Sequence, residues 1–178
     1  MVRLKGEKVY LRALEQHDLD FLYQLENDPL IWEISGTNTP YSKKVLQLYL
    51  DNSYRDIYDV KQLRLVISKR DADHPLGLID LFDFDPMHKR AGLGIVIAES
   101  KDRGKGYGAE SIQLLCTYAF EVLGLKQVFA NILEENVQSI ALFKRLGFEE
   151  VGIKKDWIRS GAQYKNEILY QKLNEDVH

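Results

Sequence analysis

The residues that most constrain the fold lie at 90–133, where four patterns follow one another without a break. An apolar run, "RAGLGIVIA" (Arg90–Ala98), reads as a strand. It passes into Arg103-Gly104-Lys105-Gly106-Tyr107-Gly108, with glycines at alternate positions. A helical pattern follows, with Ile112, Leu115, Cys116, Ala119, Val122 and Leu123 on one face and Gly124 placed to end it. "KQVFANIL" (126–133) is then a second strand. A strand that returns through a helix to another strand makes a parallel crossover, so the sheet contains at least one parallel pair.

The rest of the chain argues for antiparallel neighbours. "VYLRALE" (9–15) alternates as a first strand, and "QHDLDFLYQLEND" (16–28) places Leu19, Leu22 and Leu25 at helical spacing before the stop Asp28-Pro29. Ser42 can cap a second helix containing Val45, Leu46, Leu48, Tyr49 and Leu50. "QLRLVISKR" (62–70) is a strand, and "LGLIDLFDFD" (76–85) pairs with "RAGLGIVIA" through the turn "DPMHKR". After the crossover, "NVQSIALFKRLGF" (136–148) is a short helix with Asn136 as its N-cap and Gly147 past its end. Strands near 150–158 and 164–173 close the chain around "RSGAQ". The order β-α-α-β-β-β-α-β-α-β-β describes one α/β domain over residues 1–178 with a mixed, mostly antiparallel sheet.

Bulk properties narrow the function classes. At 178 residues the chain can bury a core but is too short for two ordinary domains. A net charge of −3, spread along the chain, gives no basic stripe for nucleic acid. The longest uncharged run, Ser111–Phe120, is far short of a membrane span, and the charged first fifteen residues lack a signal peptide's apolar core. The single cysteine, Cys116, sits on an apolar helix face and reads as a buried thiol. The four histidines show no metal-ligand spacing. A cytoplasmic protein without metal, membrane or nucleic-acid partner is expected.

The glycine loop has the physics of an anion site. Glycines let successive N–H groups turn to one side, the helix N-terminus adds about half a positive charge, and Arg103 and Lys105 stand beside it. Its spacing is G-x-G-x-G, not the G-x-G-x-x-G of a dinucleotide fold, and no hydroxyl follows Lys105 as a nucleotide-triphosphate loop requires. A plain tight turn before a helix is the alternative.

The context of the loop resembles the GNAT superfamily of acetyl-CoA-dependent N-acetyltransferases. The resemblance rests on R-x-x-G-x-G at Arg103, Gly106 and Gly108, and on N-x-x-S-x-x-x-F-x-x-x-G-F at Asn136, Ser139, Phe143, Gly147 and Phe148. "VYLRALEQHDLDFLYQLEND", "GLIDLFDFDPMHKRAGLGIVI" and "GAQYKNEILYQKL" look closest to the spermidine and ribosomal-protein acetyltransferase branch. The resemblance implies acetyl-CoA as cosubstrate and a central strand pair that splays apart to admit its pantetheine arm. It places Arg103, Gly104, Lys105, Gly106, Tyr107 and Gly108 at the pyrophosphate and the backbone of Val96, Ile97 and Ala98 along the pantetheine. The Ile97 N–H would steady the thioester carbonyl oxygen, and Asn136, Ser139 and Phe143 would add contacts to the coenzyme.

Two side chains that relatives use are absent. Phe143 stands where the spermidine enzymes carry a tyrosine, and Ala91-Gly92-Leu93 lacks the glutamate of an "AEL"-like context. Asp80, Asp83, Asp85 and His88 are the candidate replacements for the base, with alternation placing Asp83 and Asp85 on one strand face and Asp80 on the other. Glu33, Asp80, Asp83 and Asp85 are the candidate acceptor contacts; the loop "SGTNTP" (35–40) is uncharged where the spermidine enzymes are acidic. The expected acceptor is a primary amine, a polyamine or a peptide N-terminus, and a homo-oligomer is expected through the closing hairpin. A coenzyme-binding protein without catalysis and a nucleotide-binding domain are the alternatives.

Overall fold

The computed structural model describes residues 4–72 and 74–176, the side chains of Glu33 and Ile34 excepted. One sheet organises the chain, its strands lying in the order β1-β2-β3-β4-β5-β7-β6. These are β1 (Val9–Arg12), β2 (Leu63–Lys69), β3 (Pro75–Asp85), β4 (Arg90–Ile97), β5 (Gln127–Leu133), β6 (Glu149–Ser160) and β7 (Gln163–Leu173). All neighbours run antiparallel except β4 and β5, the pair joined by the crossover. The mixed, mostly antiparallel α/β sheet expected from the sequence is the observed one.

Helices cover both faces. The expected first helix is a 3-10 turn (Gln16–Asp18) followed by α1 (Leu19–Glu26). Asp28-Pro29 stops α1, as expected, and also starts α2 (Pro29–Ser35): the Asp28 side chain accepts the Leu30 N–H at 2.9 Å, with Pro29 in the first turn. Ser42 caps α3 (Lys43–Asp51) by accepting the Val45 N–H at 3.2 Å. A one-turn α4 (Ile57–Val60), capped by Asp56, escaped the sequence reading because four residues carry no periodicity. Leu22, Leu25, Ile31, Leu46 and Leu50 pack with Val66 and Leu78 on one face of β2 and β3. On the other face lies the larger core. There α5 (Tyr107–Glu121) brings Ile112, Leu115, Cys116 and Ala119, and α6 (Val137–Arg145) brings Phe143, against Ile79, Leu81, Val128 and Tyr170. The spacing i, i+3, i+4, i+7 of the α5 residues puts them on one stripe, hence the burial.

Among the described residues, no helix is long and apolar enough to cross a membrane, and no three histidine, cysteine or carboxylate side chains gather as a metal site.

Candidate active site

The centre of the sheet is split. β4 and β5 pair only at Arg90–Gln127, Ala91–Val128 and Gly92–Phe129, yet β4 continues to Ile97 and β5 to Leu133. Beyond Gly92 the two strands therefore face each other across a gap. Which backbone groups line it follows from β3. Ala98 lies opposite Leu76 in this register and donates its N–H to the Leu76 carbonyl at 2.9 Å. Hydrogen-bonded and non-bonded pairs alternate in an antiparallel ladder, so Ile97–Gly77 is a non-bonded pair and the Ile97 N–H and C=O point at the gap. The Val96 carbonyl points the other way, so close to β3 that a Cβ on Gly77 would meet it at 2.0 Å. The expectation of three gap-lining backbone residues thus narrows. The Ala98 N–H and the Val96 carbonyl are turned to β3, and of the three residues Ile97 turns its N–H and C=O to the gap.

The glycine loop stands at the open end of this gap. After Ile97 a 3-10 turn (Ser100–Asp102) leads to Arg103, whose guanidinium donates to the Ile97 carbonyl at 3.2 and 3.4 Å. Gly104 (φ +73°) and Gly106 (φ +87°) occupy the left-handed region, where a side chain is strained. Gly106 is the N-cap of α5, and Lys105 pairs with Asp102 at 3.3 Å. The N–H groups of Gly104, Lys105 and Gly106 donate to no acceptor among the described residues. Gly108 is different. It is helical, and a Cβ there would make only ordinary contacts, 3.7 Å to Leu142 and 3.8 Å to Ile95. Neither backbone angle nor packing requires this glycine, whereas a ligand lying close against the helix N-terminus would. Unpartnered N–H groups, a bare helix start and an unfilled Cβ position fit a pyrophosphate.

Asn136 and Ser139 lie at the start of α6, where the Asn136 Oδ1 accepts the Ser139 N–H at 3.2 Å. The N-cap role is therefore real, and one amide oxygen is committed to it. Phe143 is 3% exposed and packs edge-to-face on Phe148 with centroids 4.9 Å apart. It belongs to the core that α6 makes with the sheet.

The acidic residues separate. Asp80 sits opposite Gly94, three residues or roughly 10 Å of strand from Ile97. It is not a free carboxylate: Arg64 on β2 grips both oxygens at 2.8 and 3.0 Å and also reaches Glu26 at 2.9 Å, with Tyr49 5.7 Å away under the guanidinium. Burial alone would lower the Arg64 pKa, but the Asp80 charge, the bonds to it and the Glu26 charge raise it, so the guanidinium stays charged. Asp83 lies in the irregularity between Phe82 and Asp85, with φ +48°, and has no hydrogen-bond or ion-pair partner among the described residues. Asp85 accepts the His88 N–H at 2.9 Å and pairs with Arg90 at 3.3 Å. That N–H lowers its pKa most, ahead of the His88 and Arg90 charges. Asp83 and Asp85 do share a surface: both line a cavity of about 490 Å³ floored by Phe129, Val151 and Leu169. Asp85 pairs with Arg90, however, seven residues and about 23 Å of strand from Ile97. His88 is exposed in the turn beside it. The side chain of Glu33 lies outside the described residues.

Two aromatic residues escaped the sequence reading. Phe82 lies over Gly92, where a Cβ would meet its ring at 2.3 Å, and packs edge-to-face on Phe129 with centroids 5.7 Å apart. Gly92 and Phe129 form the last pair before β4 and β5 part. The position at which a glutamate was sought is therefore filled by a phenyl ring from the neighbouring strand. The only sequence signal for this was Gly92 itself, an interior strand glycine that marks a close approach.

Comparison with known proteins agrees with this architecture. Residues 8–149 match the model of an acetyltransferase (GNAT) domain. The spermidine N(1)-acetyltransferase of Escherichia coli K12 is 30% identical over 164 residues, 92% of this chain and 84% of that protein. A crystal structure of the spermidine N-acetyltransferase of Vibrio cholerae in complex with CoA and spermine superimposes with TM-score 0.84 at 24% identity, covering 94% of this chain and 96% of the other, a likeness of fold. The same enzyme's dodecameric structure in an intermediate state gives TM-score 0.78 at 26% identity over 94% and 95% of the two chains. The chain belongs to the GNAT family of acetyltransferases and is an acyltransferase whose acetyl donor is acetyl-CoA.

Proposed function

We propose that this chain acetylates the primary amine of a polyamine-like acceptor, with the thioester held in the gap between β4 and β5. The observation that carries the reading is the unpaired edge of β4, which presents the Ile97 N–H and runs directly into the glycine loop. Arg103, Gly104, Lys105, Gly106, Tyr107 and Gly108 hold the pyrophosphate, with Arg103 leaving the Ile97 carbonyl for it. Val96, Ile97 and Ala98 form the strand beside the pantetheine arm, and Asn136 and Ser139 flank it from α6. Phe143 supports this wall from the core.

Acetyl-CoA supplies an activated acyl group on a good leaving thiolate. The Ile97 N–H faces the carbonyl oxygen as negative charge develops on it, a contact worth about 3 kcal/mol of barrier. Holding the neutral amine against the thioester converts the encounter into an effectively intramolecular one. Neither Phe143 nor Gly92 can exchange a proton, and Asp80 is occupied by Arg64. Asp83 and Asp85 lie at the paired end of β4, opposite Arg90–Gly92, so among the described residues water is left to take the amine proton and protonate the thiolate, and slow turnover is expected.

The spermidine acetyltransferase relative supports a polyamine acceptor. The occupied Asp80 and the uncharged loop 35–40 favour a second acceptor with fewer charges, a peptide N-terminus. The dodecamer of the Vibrio cholerae enzyme supports a homo-oligomer. The test is release of coenzyme A thiol from acetyl-CoA across spermidine, spermine, aminoglycosides, amino acids and short peptides. Polyamine turnover is expected. Turnover with peptides alone would move the assignment to the second acceptor, and silence with every amine would overturn both.

A further inference from the structure

The segment leading into β1 is fastened to the start of α5. Glu110, in the first turn of that helix, accepts the N–H groups of Glu7 at 2.8 Å, Lys8 at 2.9 Å and Val9 at 2.8 Å. Gly6 makes the wrap feasible, since a Cβ there would stand 2.3 Å from the Glu110 carboxyl carbon. Gly6 also donates to the Val9 carbonyl at 2.8 Å, closing the turn. An acid in the first turn of a helix that binds an anion would repel it; here three N–H groups converge on that charge and offset it.

The fastening delivers Lys8 to the glycine loop. Its ammonium donates to the Lys105 carbonyl at 3.0 Å and lies 2.9 Å from the place a Cβ on Gly106 would take. In a trans peptide the C=O and the next N–H point in opposite directions. A donor that holds the Lys105 carbonyl on one side therefore turns the Gly106 N–H to the other. The other two cations of the loop are engaged elsewhere, Arg103 with Ile97 and Lys105 with Asp102.

We propose that Lys8 is a positioning residue for the coenzyme: it fixes the Lys105–Gly106 peptide so that the Gly106 N–H meets the pyrophosphate. The proposal rests on the reading that this loop holds the pyrophosphate of acetyl-CoA. Its test is calorimetric titration of the full chain and of Lys8→Met and Lys8→Arg with coenzyme A and with dephospho-coenzyme A. Lys8→Met weakens both ligands about tenfold, the scale of one charge-assisted hydrogen bond. Lys8→Arg, which can reach the same carbonyl, restores binding to within about threefold. In steady state the KM for acetyl-CoA rises in Lys8→Met, while kcat and the amine KM stay within about twofold.

A lower Tm for Lys8→Met with unchanged coenzyme affinity would overturn the proposal and leave Lys8 a structural residue. A loss confined to coenzyme A and absent with dephospho-coenzyme A would overturn it too, since the contact would then lie at the 3′-phosphate. Failure of the unaltered chain to bind coenzyme A is a separate outcome, which removes the loop assignment itself.

Discussion

Asp18 is ionised inside the protein because several donors converge on it. It is 1% exposed, yet Arg12 grips its two oxygens at 2.7 and 2.8 Å and the Glu15 N–H adds a third bond at 2.8 Å. Burial raises its pKa; the Arg12 and Glu15 bonds more than offset this and hold it below the ordinary value. The stabilisation is complete above the unfolded carboxylate pKa of about 3.9 and is lost as pH falls through the lower folded value. Arg12→Met strands the carboxylate and is expected to cost about 3 kcal/mol at pH 7 by urea denaturation. The deficit should shrink toward pH 3, as the stranded carboxyl of the variant is protonated; a deficit independent of pH would show that packing, not charge, was lost. Cys116 presents the opposite case. Its thiol has no nearby charge to offset burial sufficiently, is pushed up to about 12, and stays protonated and inert.

At the scale of elements, α5 separates structural glycines from the one that the fold does not need. Gly104 and Gly106 carry positive φ, so replacing either strains the backbone. Gly108 does not, and alanine there should stabilise the free protein by up to about 1 kcal/mol through helix propensity while weakening coenzyme A binding at least tenfold. Chemical denaturation and calorimetry on Gly108→Ala read the two effects separately. Unchanged binding would detach the helix start from the coenzyme. Capping explains much of what was legible in the chain: Ser42 and Asn136 sit where their oxygens accept the N–H three residues on. Asp28-Pro29 was read only as a stop, although the same dipeptide is a cap and a first-turn proline for α2. Alternation placed Asp83 and Asp85 together, but could not show that Asp83 lies at an irregular, left-handed step.

For the whole molecule, the crossover sets the gap and the outer neighbours of the two central strands frame it. Because β4 is anchored along its length to β3 and β5 to β7, the unpaired stretch between them is framed on both sides. A ligand that fills it binds the folded state alone. Acetyl-CoA at 100 times its dissociation constant should stabilise the protein by about 2.7 kcal/mol. For a chain of this size that is a Tm increase of roughly 5–11 °C in a melting scan. No increase at saturating acetyl-CoA would count against the gap as its site. Residues near each other in sequence were sufficient for the order of elements, the parallel crossover, the caps and the glycine loop, because helix periodicity, strand alternation and turn chemistry are local. What met across the sheet was not local. Arg64 and Asp80 are sixteen residues apart, Phe82 and Gly92 ten, Lys8 and Lys105 ninety-seven. Strand register decided that Asp80 is neutralised by a guanidinium, that a phenyl ring fills the space beside Gly92, and that Ile97, rather than Val96 or Ala98, turns its backbone to the gap. A one-residue slip of register would reverse each of these, and no local pattern in the chain encodes which strand edge remains unpaired.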